Sequence, residues 1–212
     1  MTLALYYYPG NASLLPHMVL RELAVPFELR LVDRAAEAQR DPAYLRINPN
    51  GLIPALIDGD IVLYEAAAIV LHLVERFPAA GLSPPPGTAA RAQLLKWMVH
   101  LSNTPQAQFM AWFYPEKFTD DAGCLDAVKQ GARVRLERMF EIIAGQLGAG
   151  PYLLGEQLSA ADLFLFMLVR WSRDMPRPAR AWPALAAHAA RVWARPAVRQ
   201  AFTAEDIAEP AY

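Results

Sequence analysis

The sequence predicts two domains of different class, a mixed α/β half of about eighty residues followed by an all-helical half. Three observations carry this. The first half alternates strand-like and helix-like stretches in the order β-α-β-α-β-β-α. A run rich in Pro and Gly, AAGLSPPPGTAA, then interrupts the chain, and every periodic segment beyond it repeats at helical spacing. These set expected limits of 1–80 for the first domain, 81–88 for a linker and 89–212 for the second domain.

Residues 3–8 are apolar and aromatic, with strand propensity, and Pro9-Gly10 ends them. In SLLPHMVLREL, Leu15, Met18, Val19 and Leu23 follow helical spacing, and Pro16 fits only the first turn, so the helix begins between Asn11 and Ser13. PFELRLVD alternates as a half-buried strand does, and DPAYLRINPNG reads as a short helix closed by a turn. In IPALIDGDIVLYE two apolar runs flank Asp58-Gly59, the strongest local hairpin signal, and the second strand ends at Glu65. EAAAIVLHLVERF then has a long apolar face at helical spacing, stopped by Pro78. Beyond the linker, helices are expected over 89–103, 106–114, 120–147, 159–173, 182–194 and 196–203.

The totals exclude several classes of function. An apolar fraction of 55% with 19% charged residues is rich for a soluble protein and points to much buried helix surface or to a subunit interface, so a dimer is expected. Twenty basic residues scattered among 21 acidic ones leave no electrostatic footprint for nucleic acid. The opening MTLALYYYPG lacks a basic leader, and the apolar run at 163–169 is far too short to cross a bilayer, so a cytoplasmic protein without membrane attachment is expected. A single cysteine, Cys124, excludes an intrachain disulfide, and His17, His72, His100 and His188 show no paired metal-ligand spacing, so no metal site is expected.

Three places carry candidate chemistry. The turn YYYPGNAS breaks a strand and restarts as a helix, so backbone N–H groups point at whatever fills the gap. Pro54 opens a strand after Ile53, and a cis bond there leaves the Ile53 N–H and C=O free to pair with a peptide-like ligand, as an added strand would. Glu65 precedes a helix. It reads either as a first-turn carboxylate favoured by the helix dipole, or as a group that binds an amine while the Ala66 N–H binds a carboxylate, the two ends of one amino acid.

Five segments in order, YYYPGNASLLPHMVLREL, INPNGLIPALID, YEAAAIVLHLVERFP, LLGEQLSAADLFLFMLVRW and ARPAVRQAFTAEDI, resemble the cytosolic glutathione transferases, most nearly the bacterial beta class. The resemblance implies a thioredoxin-like first domain, an all-helical second domain, a homodimer, glutathione as co-substrate, and an apolar electrophile as its acceptor. Carried over residue by residue, Pro54 matches the family's cis-proline, Ile53 the residue that pairs with the cysteinyl unit of glutathione, and Glu65 the acid that holds the γ-glutamyl amine. Ser159 and Asp162 of LSAAD match a capping motif. The acceptor pocket is expected at Tyr8, Met110, Phe113 and Trp171, with plain helix core as the other reading of Trp171.

The turn departs from the pattern. Beta enzymes read Pro-Gly-Ala-Cys-Ser where this chain has Pro9-Gly10-Asn11-Ala12-Ser13, so no mixed disulfide with glutathione can form at Ala12. The hydroxyl common after the acid is absent at Ala66, and Gln106 stands near where a histidine is usual, with His100 one or two turns away. Three donors remain for the thiolate: Ser13, whose other reading is a helix N-cap; Asn11, whose other reading is a cap or turn residue; and Tyr7, which also suits a strand face with its neighbours. Ser13 ranks first and Asn11 second. A thiol of pKa about 8.5 needs about 2.7 kcal/mol to fall by two units, within reach of a helix N-terminus and one hydrogen bond. The alternative function is a protein that binds glutathione or apolar ligands without turnover.

Overall fold

The computed structural model describes residues 3–148, 150–208 and 212, and its first element is strand β1 (Leu3–Tyr7). Leu3, Ala4 and Leu5 are all buried, the pattern of a strand covered on both faces. β2 (Phe27–Leu31) lies parallel to β1 on one side, and β3 (Ala55–Asp58) lies antiparallel on the other. β4 (Ile61–Tyr64) pairs with β3 as a hairpin, giving the order β2-β1-β3-β4. The loop residues are Gly59, at φ +61°, and Asp60. Asp58 stays in the strand because its buried Oδ2 takes His72 Nε2 at 2.8 Å and also the Arg76 guanidinium.

Helix α1 (Leu14–Glu22) follows β1, α2 (Pro42–Leu45) is a single turn capped by Asp41, and α3 (Ala66–Arg76) packs on α1. The register aligns Tyr6, Ala55 and Tyr64 across β1, β3 and β4. Residues 9–13, Ile53-Pro54 and Glu65-Ala66 therefore leave the sheet at one end.

The helical half contains α4 (Ala89–Leu101), α5 (Ala107–Phe113), α6 (Leu125–Leu147), α7 (Ala160–Trp171) and α8 (Pro183–Trp193). The break expected between 103 and 106 is a π-helical turn, Ser102–Gln106. Pro105 explains it, since proline lacks the N–H for the regular ladder and its ring crowds the carbonyl four residues back. α7 is buried from Ala160 to Arg170. Its capping box is complete: Asp162 Oδ2 accepts the Ser159 N–H at 2.8 Å and the Ser159 hydroxyl at 2.7 Å, while Oδ1 accepts the Leu153 N–H at 2.8 Å and faces His188 Nε2 at 3.0 Å.

Packing divides the chain differently from the expected limits. One unit comprises Met1–Ser83 with Trp193–Ala211, the other Pro84–Val192 with Tyr212. The last helix, α9 (Pro196–Ala204), returns to α1 because Arg195 grips Glu22 through two bonds of 2.5 and 2.7 Å. Composition does not report such a return, so the 89–212 limit reads one helix too many into the helical half. No helix among the described residues is long and apolar enough to cross a membrane.

Candidate functional site

The turn after β1 closes on itself with few bonds. Gly10 takes φ +67°, a conformation that suits glycine, and its N–H donates to Glu205 Oε2 at 2.9 Å. The Asn11 N–H donates to the Tyr8 carbonyl at 3.1 Å, and the Leu14 N–H to the Asn11 carbonyl at 2.9 Å. Asn11 also turns its side chain back, Oδ1 accepting the Ala12 N–H at 2.7 Å. Among the described residues, the Nδ2 of the half-buried Asn11 makes no hydrogen bond, and neither does the Ser13 backbone N–H at the amino end of α1.

Ser13, ranked first as thiolate donor, has another task. It is fully buried, and its hydroxyl donates to the Tyr8 carbonyl at 3.1 Å while accepting the Tyr8 N–H at 3.2 Å. A hydroxyl has one proton, and here a backbone carbonyl holds it. The capping alternative is not realised either, because Ser13 has helical angles of φ −61° and ψ −21° and makes no side-chain cap bond. Tyr7 turns toward His17, ring centroids 6.4 Å apart, and burial, followed by the charge of Glu205, pushes its phenol above the ordinary value. The donors at the turn that lack a partner among the described residues are Asn11 Nδ2 and the Ser13 N–H.

The peptide bond between Ile53 and Pro54 is cis, and neither the N–H nor the C=O of Ile53 has a partner among the described residues. Two side chains fix this segment that sequence reasoning missed. Tyr44 donates its hydroxyl to the Leu52 carbonyl at 2.6 Å, and Asn48 Nδ2 donates to the same oxygen at 2.7 Å. Both residues are buried, and burial pushes the Tyr44 phenol up to about 12. Tyr44, Val32 and Ile53 form a small core against which Tyr6 and Tyr8 pack. The signal lies in the spacing, Tyr44 and Asn48 being one helical turn apart just before Ile53.

Glu65 stands between β4 and α3 with φ +71° and ψ 112°, a costly conformation for a residue with a side chain, of order 1–3 kcal/mol. Its exposed carboxylate makes no hydrogen bond or ion pair among the described residues, and no side chain caps α3. The buried Ala66 and the residues after it therefore begin α3 with N–H groups unsatisfied. One end of the sheet so carries the unpartnered Ile53 N–H and C=O, the exposed Glu65 carboxylate, and the amino ends of α1 and α3.

Of the residues expected at the acceptor pocket, Tyr8 belongs to the first unit and lies under the Arg34 guanidinium, 5.6 Å from its ring centroid. Met110 and Phe113 on α5 and Trp171 on α7 belong to the second. Trp171 meets Phe109 and Phe113 edge-on at 5.7 and 6.0 Å, and Phe113 remains 42% exposed, so this cluster is open on one side rather than sealed core. His100 on α4 is held below the usual imidazole range by burial and then by Lys96. Cys124 is exposed, in the segment before α6.

Comparison with known proteins agrees over both halves. Residues 1–75 match the family model of the glutathione S-transferase N-terminal domain, and residues 126–191 that of the glutathione S-transferase C-terminal domain. Glutathione S-transferase GST-4.5 of Xanthomonas campestris pv. campestris is 29% identical over 203 residues, spanning 96% of this chain and 98% of its own. Among solved structures, BphK, a bacterial glutathione transferase in a ternary complex, is 36% identical with a TM-score of 0.86, over 96% of this chain and 100% of its own. A sphingomonad glutathione S-transferase complexed with glutathione is 32% identical with a TM-score of 0.85, over 97% and 100%.

Proposed function

Since the chain belongs to the glutathione S-transferase family, we propose that it binds glutathione at the open end of its sheet, holds the thiol as thiolate at the amino end of α1, and adds the sulfur to an apolar electrophile. The observation that carries this reading is the set of unsatisfied groups at that end: Ile53 N–H and C=O, the Glu65 carboxylate, the α3 N–H groups, Asn11 Nδ2 and the Ser13 N–H. Each complements one part of the tripeptide. Ile53 suits its cysteinyl backbone, Glu65 its free amine, Ala66 its α-carboxylate, and the α1 turn its sulfur.

In the reaction the thiol gives its proton to solvent, and Asn11 Nδ2 and the Ser13 N–H stabilise the anion left behind. The sulfur lone pair then forms a bond to an electrophilic carbon while the leaving group departs with its electron pair. No protein thiol takes part, because Ala12 stands where a cysteine would. The exposed apolar strand β4, with Ile61 45% and Val62 46% accessible, supports a homodimer, and the single unpaired Cys124 suits a cytoplasmic setting.

Titration of bound glutathione by its ultraviolet thiolate absorbance, together with conjugation of a model aryl halide, tests the proposal. Binding with a lowered thiol pKa and turnover above the buffer rate is the expected result. Commitment of the Ser13 hydroxyl to Tyr8 favours a second reading, binding without turnover, and glutathione that binds with its ordinary thiol pKa would establish it.

A further inference from the structure

Behind the turn lies a buried ionisable chain that the proposed reaction does not use. Glu205, directly after α9, is 1% exposed, yet both its oxygens are engaged: Oε2 accepts the Gly10 N–H at 2.9 Å and Oε1 meets His17 Nδ1 at 2.7 Å. Across the imidazole, Arg21 Nε donates to His17 Nε2 at 3.3 Å. An arginine Nε can only donate, so Nε2 supplies the lone pair and the ring proton sits on Nδ1, directed at Glu205. The fully buried His17 thus hands the carboxylate one donor, and the turn hands it the other. Tyr7 is the further titratable group that feels this charge.

The arrangement is costly. An apolar side chain would fill the space without desolvating an anion, and a negative charge beside the turn opposes formation of a thiolate there. What the carboxylate supplies in return is a charge-assisted bond to one main-chain N–H of the turn. We propose that Glu205 is a positioning residue for thiol activation: its bond to Gly10 fixes residues 10–13 so that Asn11 Nδ2 and the Ser13 N–H face the sulfur. This rests on the reading of the turn as the sulfur site. Glutamine fills the role only in part: its single acceptor oxygen replaces two where Gly10 and His17 each present an N–H, and the bond it offers Gly10 is neutral rather than charge-assisted.

The test is Glu205→Gln, with Arg195→Ala as control. Arg195 ties the opposite end of α1 to α9, so its loss loosens the same helix without touching the turn. Measured well below the unfolding temperature, Glu205→Gln is expected to lower kcat and the thiolate fraction of bound glutathione about tenfold. The glutathione KM should change by less than about twofold, because Ile53 and Glu65 still hold the rest of the tripeptide. Arg195→Ala should leave the thiolate absorbance unchanged.

A rise in thiolate in Glu205→Gln would mean that charge, not position, is what Glu205 contributes, and would overturn the inference. An unchanged thiolate would overturn it equally, by reducing Glu205 to a fold element. Wild-type protein that binds glutathione without lowering its thiol pKa would instead refute the function proposed above. Should Glu205→Gln not fold, nuclear magnetic resonance of the wild type decides: a downfield, slowly exchanging Gly10 amide supports the inference, and exchange as fast as a solvent-exposed loop amide overturns it.

Discussion

Replacing Asn11 by alanine probes the sulfur site most directly. Two bonds are at stake. Nδ2 is the side-chain donor left over at the turn, and a hydrogen bond from it to a thiolate contributes about 1.5–3 kcal/mol. At about 1.4 kcal/mol per pKa unit, its loss alone raises the bound thiol by one to two units. The same substitution releases the Ala12 N–H from Asn11 Oδ1, 2.7 Å away, and that freed donor at the helix amino end recovers part of the loss. The net expectation is a rise of about one unit, or tenfold less thiolate below the wild-type pKa. Asn11→Asp sharpens the test. Aspartate retains the acceptor for Ala12 but sets a second negative charge near the sulfur, a repulsion of about 4 kcal/mol at 4 Å and an effective dielectric of 20, so it should raise the thiol further than alanine does. The assay is ultraviolet titration of the enzyme-bound thiolate under saturating glutathione. If Asn11→Ala titrates as wild type does while still binding glutathione, the side chain has no part in activation and the backbone alone carries it.

Ser13→Ala removes a hydroxyl bonded both ways to the Tyr8 backbone, so it should cost about 1–2 kcal/mol of stability in denaturant melts. Its effect on the thiol should be smaller than that of Asn11→Ala. Tyr44→Phe leaves the Leu52 carbonyl with Asn48 alone; calorimetry should show weaker glutathione binding by about 1 kcal/mol, roughly fivefold. Asp162→Ala strips the acceptor from Leu153, Ser159 and His188 at once, and the buried donors left unpaired should cost about 3–5 kcal/mol. For Tyr7 the sign is fixed by its neutral form: burial and Glu205 raise the phenol, so it stays protonated through its ordinary pKa of 10. Because the unfolded chain ionises there first, Tyr7→Phe should lose less stability than wild type as the pH rises above about 10.

Much of the fold was legible because its signals are local. The Asp58-Gly59 hairpin, the Pro-bounded helices and the Ser159 to Asp162 capping box depend on residues at most a few positions apart. Ser13 was not legible in the same way. A serine at a strand-helix junction can bond the helix, a ligand or the strand behind it, and only the helical φ and ψ it adopts turn its hydroxyl to Tyr8. Nor could spacing reveal that Glu205 reaches Gly10 across 195 positions, or that α9 returns to α1. The Ile53 backbone was anticipated from proline chemistry, whereas its holders, Tyr44 and Asn48, depend on how one turn of helix folds back on Leu52.

The exchange of a cysteine for Ala12 has a consequence for how the protein would age in an oxidising or alkylating medium. Its one thiol, Cys124, stands exposed in the helical unit, so peroxide or a reactive halide attacks there and finds no sulfur on the sheet. Damage to that cysteine and disruption of the turn proposed to hold the sulfur are separate events, and an assay that reports one says nothing of the other.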